Sequence, residues 1–226
     1  ASIARASATR GTSTAAHFRF FQTAPLFRWT ERQAHDSLDV MTRRISPAFV
    51  VAGIILLAAV WLLWIGREPW CKCGYVKLWH GEVVSAENSQ HISDWYTPSH
   101  LIHGFLFFGI LWLVARKLGF GWRLAIATIV ESAWEIVENS DAVIERYRSV
   151  TISLDYYGDS VLNSVFDVLA MVLGFWLASR LPVWLTVALI FIFEASTIWL
   201  IRDGLALNVL MLLYPLDWVA GWQAGR

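Results

Sequence analysis

Five stretches of this chain are apolar enough and long enough to cross a lipid bilayer, and four of them carry ionisable side chains. About 20 apolar residues cover the hydrocarbon core. Residues 47–66, 99–114, 121–139, 161–179 and 183–201 meet that pattern, the first with an uncharged run over 49–65. Residues 205–216 are apolar but short and interrupted by Pro215, and read as a sixth, distorted span or an interfacial segment. The expected fold is therefore all-α: an integral membrane helix bundle with five or six transmembrane helices. Composition agrees, since 57% of residues are hydrophobic and 16% charged, against about 25% charged in soluble domains. Trp61, Trp64, Trp70, Trp95, Trp122, Trp184, Trp199 and Trp218 fall near the expected span ends, where indoles favour the headgroup region.

Several functions are excluded. The net charge is zero, so no polybasic nucleic-acid surface is implied. The chain has neither a glycine-rich phosphate loop nor a G-x-S-x-G elbow. No internal repeat is evident, which weighs against a secondary transporter.

Residues 1–40 differ from the rest. They are rich in Ala, Ser and Thr, with Arg5, Arg10, Arg19, Arg28 and Arg32 against Glu31, Asp36 and Asp39. That composition is similar to a transit peptide, yet Met41-Thr-Arg-Arg-Ile reads as a bacterial start before a first membrane helix. The expectation is a disordered leader or mis-assigned start over 1–40, followed by one transmembrane helical domain over 41–226 with an outer loop at 67–98. Arg43, Arg44, Arg116, Lys117, Arg123 and Arg180 fall on one side if the spans alternate. The positive-inside rule makes that side, and the N-terminus, cytoplasmic.

A charged side chain at mid-bilayer costs roughly 2.5–3.5 kcal/mol on insertion scales, so the charges inside the spans need a purpose. His100 and His103 lie at the start of the second span. Thr128, Glu131, Glu135 and Glu138 form a stripe toward the end of the third, and Asp159, Asn163 and Asp167 step by four into the fourth. Alternation brings all three stripes to the same half of the bilayer, with Asp167 roughly 12 Å deeper than Asp159 at the helical rise. Glu194, near the middle of the fifth span, is a further candidate. Membrane carboxylates face a bundle interior or a water-filled cavity, so an outward-facing polar pocket is expected, in which His103, Glu135 and Asp159 approach one another.

Two imidazoles and several carboxylates suit a divalent metal such as zinc or manganese, with His100, His103, Glu135 and Glu138 as candidate ligands. His103, Glu135, Asp159 and Asp167 are candidate catalytic acids and bases. Arg146 and Arg148, just after the third span, together with Asn163 and His91, are candidate binders of an anionic substrate group. The alternative is that these side chains bond one another and fix helix packing. In the outer loop, Cys71 and Cys73 could oxidise, or ligate a metal with His80 and His91. The loop could also fold over the pocket through His91, with Tyr156, Tyr157 and Gly158 as a second lid.

From about residue 43 onward the chain resembles an uncharacterised family of alphaproteobacterial inner-membrane proteins. The resemblance rests on Cys71-Lys-Cys-Gly-Tyr-Val-Lys-Leu-Trp-His-Gly, Asn88-Ser-Gln-His and Asp94-Trp-Tyr-Thr-Pro-Ser-His-Leu-Ile-His-Gly. It continues through Glu131-Ser-Ala-Trp-Glu-Ile-Val-Glu-Asn, Ile144-Glu-Arg-Tyr-Arg and Tyr157-Gly-Asp-Ser-Val-Leu-Asn-Ser. It implies a multi-pass plasma-membrane protein and supplies no activity. A more distant, partial resemblance is to VanZ-type membrane proteins, in Glu135, Arg146 or Arg148, and Asp159 to Asn163. Glu138 stands where a Gln is common there, and Phe166 where a Gly would follow. Two functions fit these readings: a membrane enzyme acting on a lipid or lipid-linked substrate, or a non-enzymatic protein of ion binding, transport or complex assembly. Membrane lipids are the expected partners of either.

Overall fold

The structure, a computed structural model, describes residues 45–151 and 154–225. The reading of residues 1–40 lies outside the described residues. Among the described residues eight helices follow in order: α1 (Pro47–Trp64), α2 (Thr97–Val114), α3 (Phe120–Glu138), α4 (Asp141–Val150), α5 (Val161–Ala178), α6 (Val183–Ile201), α7 (Leu205–Leu213) and α8 (Asp217–Gln223). No strand occurs among the described residues, so the all-α expectation holds.

The expected span count is corrected. Among the described residues four helices, α1, α2, α5 and α6, are long and apolar enough to cross a membrane. The third expected span, α3, is 19 residues long but carries Arg123, Glu131, Glu135 and Glu138. The sixth is broken: α7 has nine residues and ends at Leu213, two residues before Pro215. What α3 lacks in apolar character it recovers by packing, since α1, α2 and α5 surround it and its Glu131 and Glu135 are buried. The outer helices show the reverse. Phe49 and Trp64 on α1 are 80% and 74% exposed, and Trp199 on α6 is 81% exposed. Apolar surface on that scale is a membrane-facing belt. Trp95 is not part of it: its indole N–H donates to the Gly81 carbonyl at 2.8 Å, and its ring meets Trp79 edge-on.

The most extensive helix pair is α2 with α5, and two glycines allow it. A Cβ on Gly104 would meet the Met171 carbonyl oxygen and, at 2.5 Å, the Phe175 nitrogen; one on Gly174 would meet the Leu101 carbonyl. Small residues at such crossings let backbones touch. Below the crossing, Ala127, Val168, Met171 and Phe175 form the apolar core.

The loop over residues 67–96 is stitched to the start of α5. Ser160 donates its N–H to the Ser89 carbonyl at 3.0 Å, and Val161 its N–H to Glu68 at 2.8 Å. The Ser160 hydroxyl donates to the Gln90 carbonyl and accepts from the Asn163 N–H as an N-cap. Cys71 and Cys73 form a disulfide. Within the loop, Glu87 accepts from Lys77 Nζ at 2.7 Å and from the Tyr75 hydroxyl at 2.8 Å, and lies 3.2 Å from His91 Nε2. The Lys77 and Tyr75 bonds, with His91, hold the Glu87 carboxyl down at about 2, against an ordinary 4.5. A depressed carboxylate stabilises the fold above its unfolded value and stops doing so as pH falls through its folded one. Hydrogen-exchange protection of residues 75–95, corrected for intrinsic rates, is therefore expected to stay level down to about pH 4.5 and to decline toward pH 2. Glu87→Gln should remove that pH dependence.

Candidate functional site

The site forms where the first turns of α2, the last half of α3 and the start of α5 meet. Prolines at the N-termini of α1 and α2 (Pro47, Pro98) start those helices without losing a bonded N–H. In α2, His100 and His103 sit one turn apart, facing α3. His100 Nδ1 lies 2.7 Å from Glu131 Oε1, and His103 Nδ1 lies 3.0 Å from both Glu131 oxygens. Glu131 is thus fully engaged, and it orients two imidazoles. With the proton on Nδ1, the His100 Nε2 is free, 3.8 Å from Asp167 Oδ2. A carboxylate behind one ring nitrogen with the other exposed to acidic neighbours is how metal-ligating histidines are held.

Glu135 is the centre of the cluster. One donor atom each from His100, Glu135 and Asp167 lie within 4.8 Å of one another, and the same is true of Glu135, Glu138 and Asp159. Glu135 is 1% exposed, and neither of its carboxylate oxygens has a hydrogen-bond partner; nor does Asp167 Oδ1. Carboxylates away from the cluster differ. Asp94 accepts from the N–H of Tyr96 at 2.8 Å and of Ser89 at 3.1 Å. Asp203 accepts from the Tyr96 hydroxyl, the Gly204 N–H and the Gln223 amide, although burial still pushes its carboxyl up to about 6. Glu194 accepts from the N–H groups of Leu205 and Ala206, capping α7. These three are structural; Glu135 and Asp167 are left with unmet acceptors inside the bundle. Among the described residues no Arg or Lys pairs with Glu131, Glu135, Glu138, Asp159 or Asp167. Buried polar groups without partners are rare and costly, so the donor set fits a bound cation.

A cavity of about 280 Å³ adjoins the cluster. His100, His103, Glu131, Glu138, Asp159 and Asp167 line its polar side, and Trp134, Val130, Val209 and Leu212 its apolar side. Val130 on α3 and Val209 on α7 are 47% and 46% exposed, so that wall reaches the outer surface of the bundle.

Not every candidate from the sequence falls here. Glu135 comes together with Asp159, but His103 pairs with Glu131 rather than with those two. Arg146 donates to the Leu212 carbonyl, tying α4 to α7. Arg148 donates to the Leu154 carbonyl and covers the Tyr157 ring. Neither lines the cavity. Asn163 donates its amide to the His91 carbonyl at 2.9 Å, and the His91 ring packs on Tyr75 and His80. The loop does reach the cavity, but through Asn88 and Ser89. Glu194 caps α7 and stays apart from the acidic cluster.

Two residues of the site were not singled out from the sequence. Asn139, fully buried at the end of α3, donates to the Glu135 carbonyl and to Asp159 Oδ2 and accepts the Asp159 N–H at 2.7 Å. Its signal is spacing: Glu131, Glu135 and Asn139 step by four. Asn208 lines the cavity from α7, where it is the single polar side chain in an apolar helix.

Residues 62–225 match the family model for DUF2585, proteins of unknown function. The chain belongs to this family. The UPF0314 protein of Paracoccus denitrificans is 74% identical over 185 residues, covering 82% of this chain and 96% of the relative. The UPF0314 proteins of Sinorhizobium fredii and Rhizobium meliloti are 59% and 56% identical over 173 residues, each covering 76% of this chain and 88% of the relative. No solved structure matches. The family is uncharacterised, and its known members here are alphaproteobacterial, so its chemistry has to be argued from the site.

Proposed function

We propose that this protein is an enzyme of the bacterial inner membrane that uses a divalent metal to act on a lipid or lipid-linked substrate with an anionic headgroup. In this reading the N-terminus is cytoplasmic and the cavity faces the periplasm. The observation that carries the reading is Glu135, buried with two unpartnered oxygens beside His100 and Asp167. His100, Glu135 and Asp167 would hold the ion, and Glu131 would orient His100 and His103. Bound there, a divalent ion supplies Lewis-acid polarisation and the positive charge that an anionic group needs among these carboxylates. His103, held by Glu131 at the cavity wall, is placed to accept or donate a proton at its free Nε2. A volume of about 280 Å³ is at or below the small end of ligand pockets, roughly 300–1,000 Å³. It suits a headgroup, with acyl chains left in the bilayer beyond Val130 and Val209.

The test is metal content and lipid composition together. Protein purified with its native lipids is expected to carry near-stoichiometric metal, reduced at least about tenfold in Glu135→Gln and His100→Ala. Lipid extracts of cells carrying Glu135→Gln should show an accumulated species absent from wild type. A metal-free wild-type protein with unchanged lipids in the variant overturns the proposal. Metal without any lipid change replaces the enzyme with an ion-binding, transport or assembly protein.

A further inference from the structure

The acidic residues exceed what one cation requires. Were all five ionised, Glu131, Glu135, Glu138, Asp159 and Asp167 would carry more negative charge than two protonated imidazoles offset, and among the described residues no Arg or Lys pairs with them. The geometry divides the set. Glu131 is already engaged by two imidazole nitrogens at 2.7 and 3.0 Å, which marks it as a positioning residue. Two triads remain, and Glu135 belongs to both. Neither of its oxygens takes a hydrogen bond from the protein, and the imidazole nitrogen His100 Nδ1 stands 3.6 Å from Oε1, which leaves both oxygens available, one to each of two ions.

We infer that the cluster is built for two divalent cations sharing Glu135, one among His100, Glu135 and Asp167, the other among Glu135, Glu138 and Asp159. The inference rests on the metal reading above and extends it. The second position is prepared independently of the first. Asn139 fixes Asp159 from both its N–H and its carboxylate, at 2.7 and 2.9 Å, and the Asn139 N–H itself bonds the Glu135 carbonyl at 3.1 Å. The end of α3 and the start of α5 are therefore locked so that Glu135, Glu138 and Asp159 converge. Glu138 alone of the three is partly open, and it faces the cavity. His100 and Asp167 of the first position line the same cavity, so both ions would border the substrate, a placement used by two-metal sites to hold both sides of a reacting group.

The full chain, stripped by chelator and reconstituted in lipid nanodiscs, is titrated with Mn²⁺ alone and followed by calorimetry and electron paramagnetic resonance. Wild type is expected to bind two ions per chain and to show the spectrum of an exchange-coupled pair. Glu138→Gln should bind one ion and show the hyperfine pattern of an isolated Mn²⁺, and Asp159→Asn should do the same where Glu138→Gln does not fold. Saturation at one ion with an isolated-ion spectrum in wild type overturns the pair while leaving the single-metal reading intact. No binding at all overturns both. A coupled pair that survives in Glu138→Gln overturns the placement of the second ion.

Discussion

Gly174→Leu is expected to destabilise the protein by at least about 3 kcal/mol and to prevent accumulation of folded protein in the membrane. The Cβ of any residue there would strike the Leu101 carbonyl oxygen, and its carbonyl carbon at 3.0 Å. That neighbour is helix backbone, which cannot rotate aside as a side chain can. Relief requires α2 and α5 to separate along their most extensive contact. Gly104→Leu should behave alike, since its Cβ would meet the backbone of Met171, Gly174 and Phe175. The controls are Gly53→Leu and Gly109→Leu, where an added Cβ meets nothing within 4 Å; these should change stability by roughly 0.5 kcal/mol or less. Unfolding by SDS in mixed micelles measures all four. Equal stability of Gly174→Leu and Gly109→Leu would show that the crossing is looser than described. The site is at stake as well, because Gly104 follows His103 directly and Gly174 lies two helical turns from Asp167 on the same face.

Asn139→Ala is expected to cost roughly 2–4 kcal/mol, and Asn139→Asp more. The alanine removes the acceptor of the buried Asp159 N–H and the amide that donates to Asp159 Oδ2, and unsatisfied buried groups cost about 1–3 kcal/mol each. The aspartate keeps the shape and the acceptor, but replaces an amide donor 2.9 Å from Asp159 Oδ2 with a carboxylate oxygen. Two carboxylates at that range cannot both ionise in a dry interior. The ordering Asn139, then Ala, then Asp in SDS unfolding identifies the amide as a donor to Asp159. The reverse order would mean that filling the space is what matters.

The helices were legible because bilayer thickness sets a length that composition reveals. Expected spans at 47–66 and 183–201 correspond to Pro47–Trp64 and Val183–Ile201. The meeting of His100, Glu131, Glu135, Asp159 and Asp167 was legible for a second reason: helical spacing assigns a face, and alternation assigns a depth. Partners were not legible. Arg146 lies in the right region for an anion, but a carbonyl at the end of α7 takes both its donors, and no local pattern encodes an acceptor 66 residues away. Glu194 reads as another intramembrane acid until the chain turns at Arg202, in left-handed backbone with φ 55°, and returns the N-terminus of α7 to it. Reading the spans by length also overstated their number, because α3 is long enough to cross while its charged side chains take it out of the set of apolar helices.

The helix α7 has a separate consequence. It forms part of the apolar wall of the cavity, and its polar attachments lie at its ends, Glu194 at the first turn and Arg146 at the last. None of the His/carboxylate cluster lies on it. The α7 part of the wall is thus separate in the chain from the acids, so on the proposed reading exchanges at Val209 or Leu212 would retune which molecule is accepted without disturbing the acids, much as a changed key blank leaves the lock's bolt untouched.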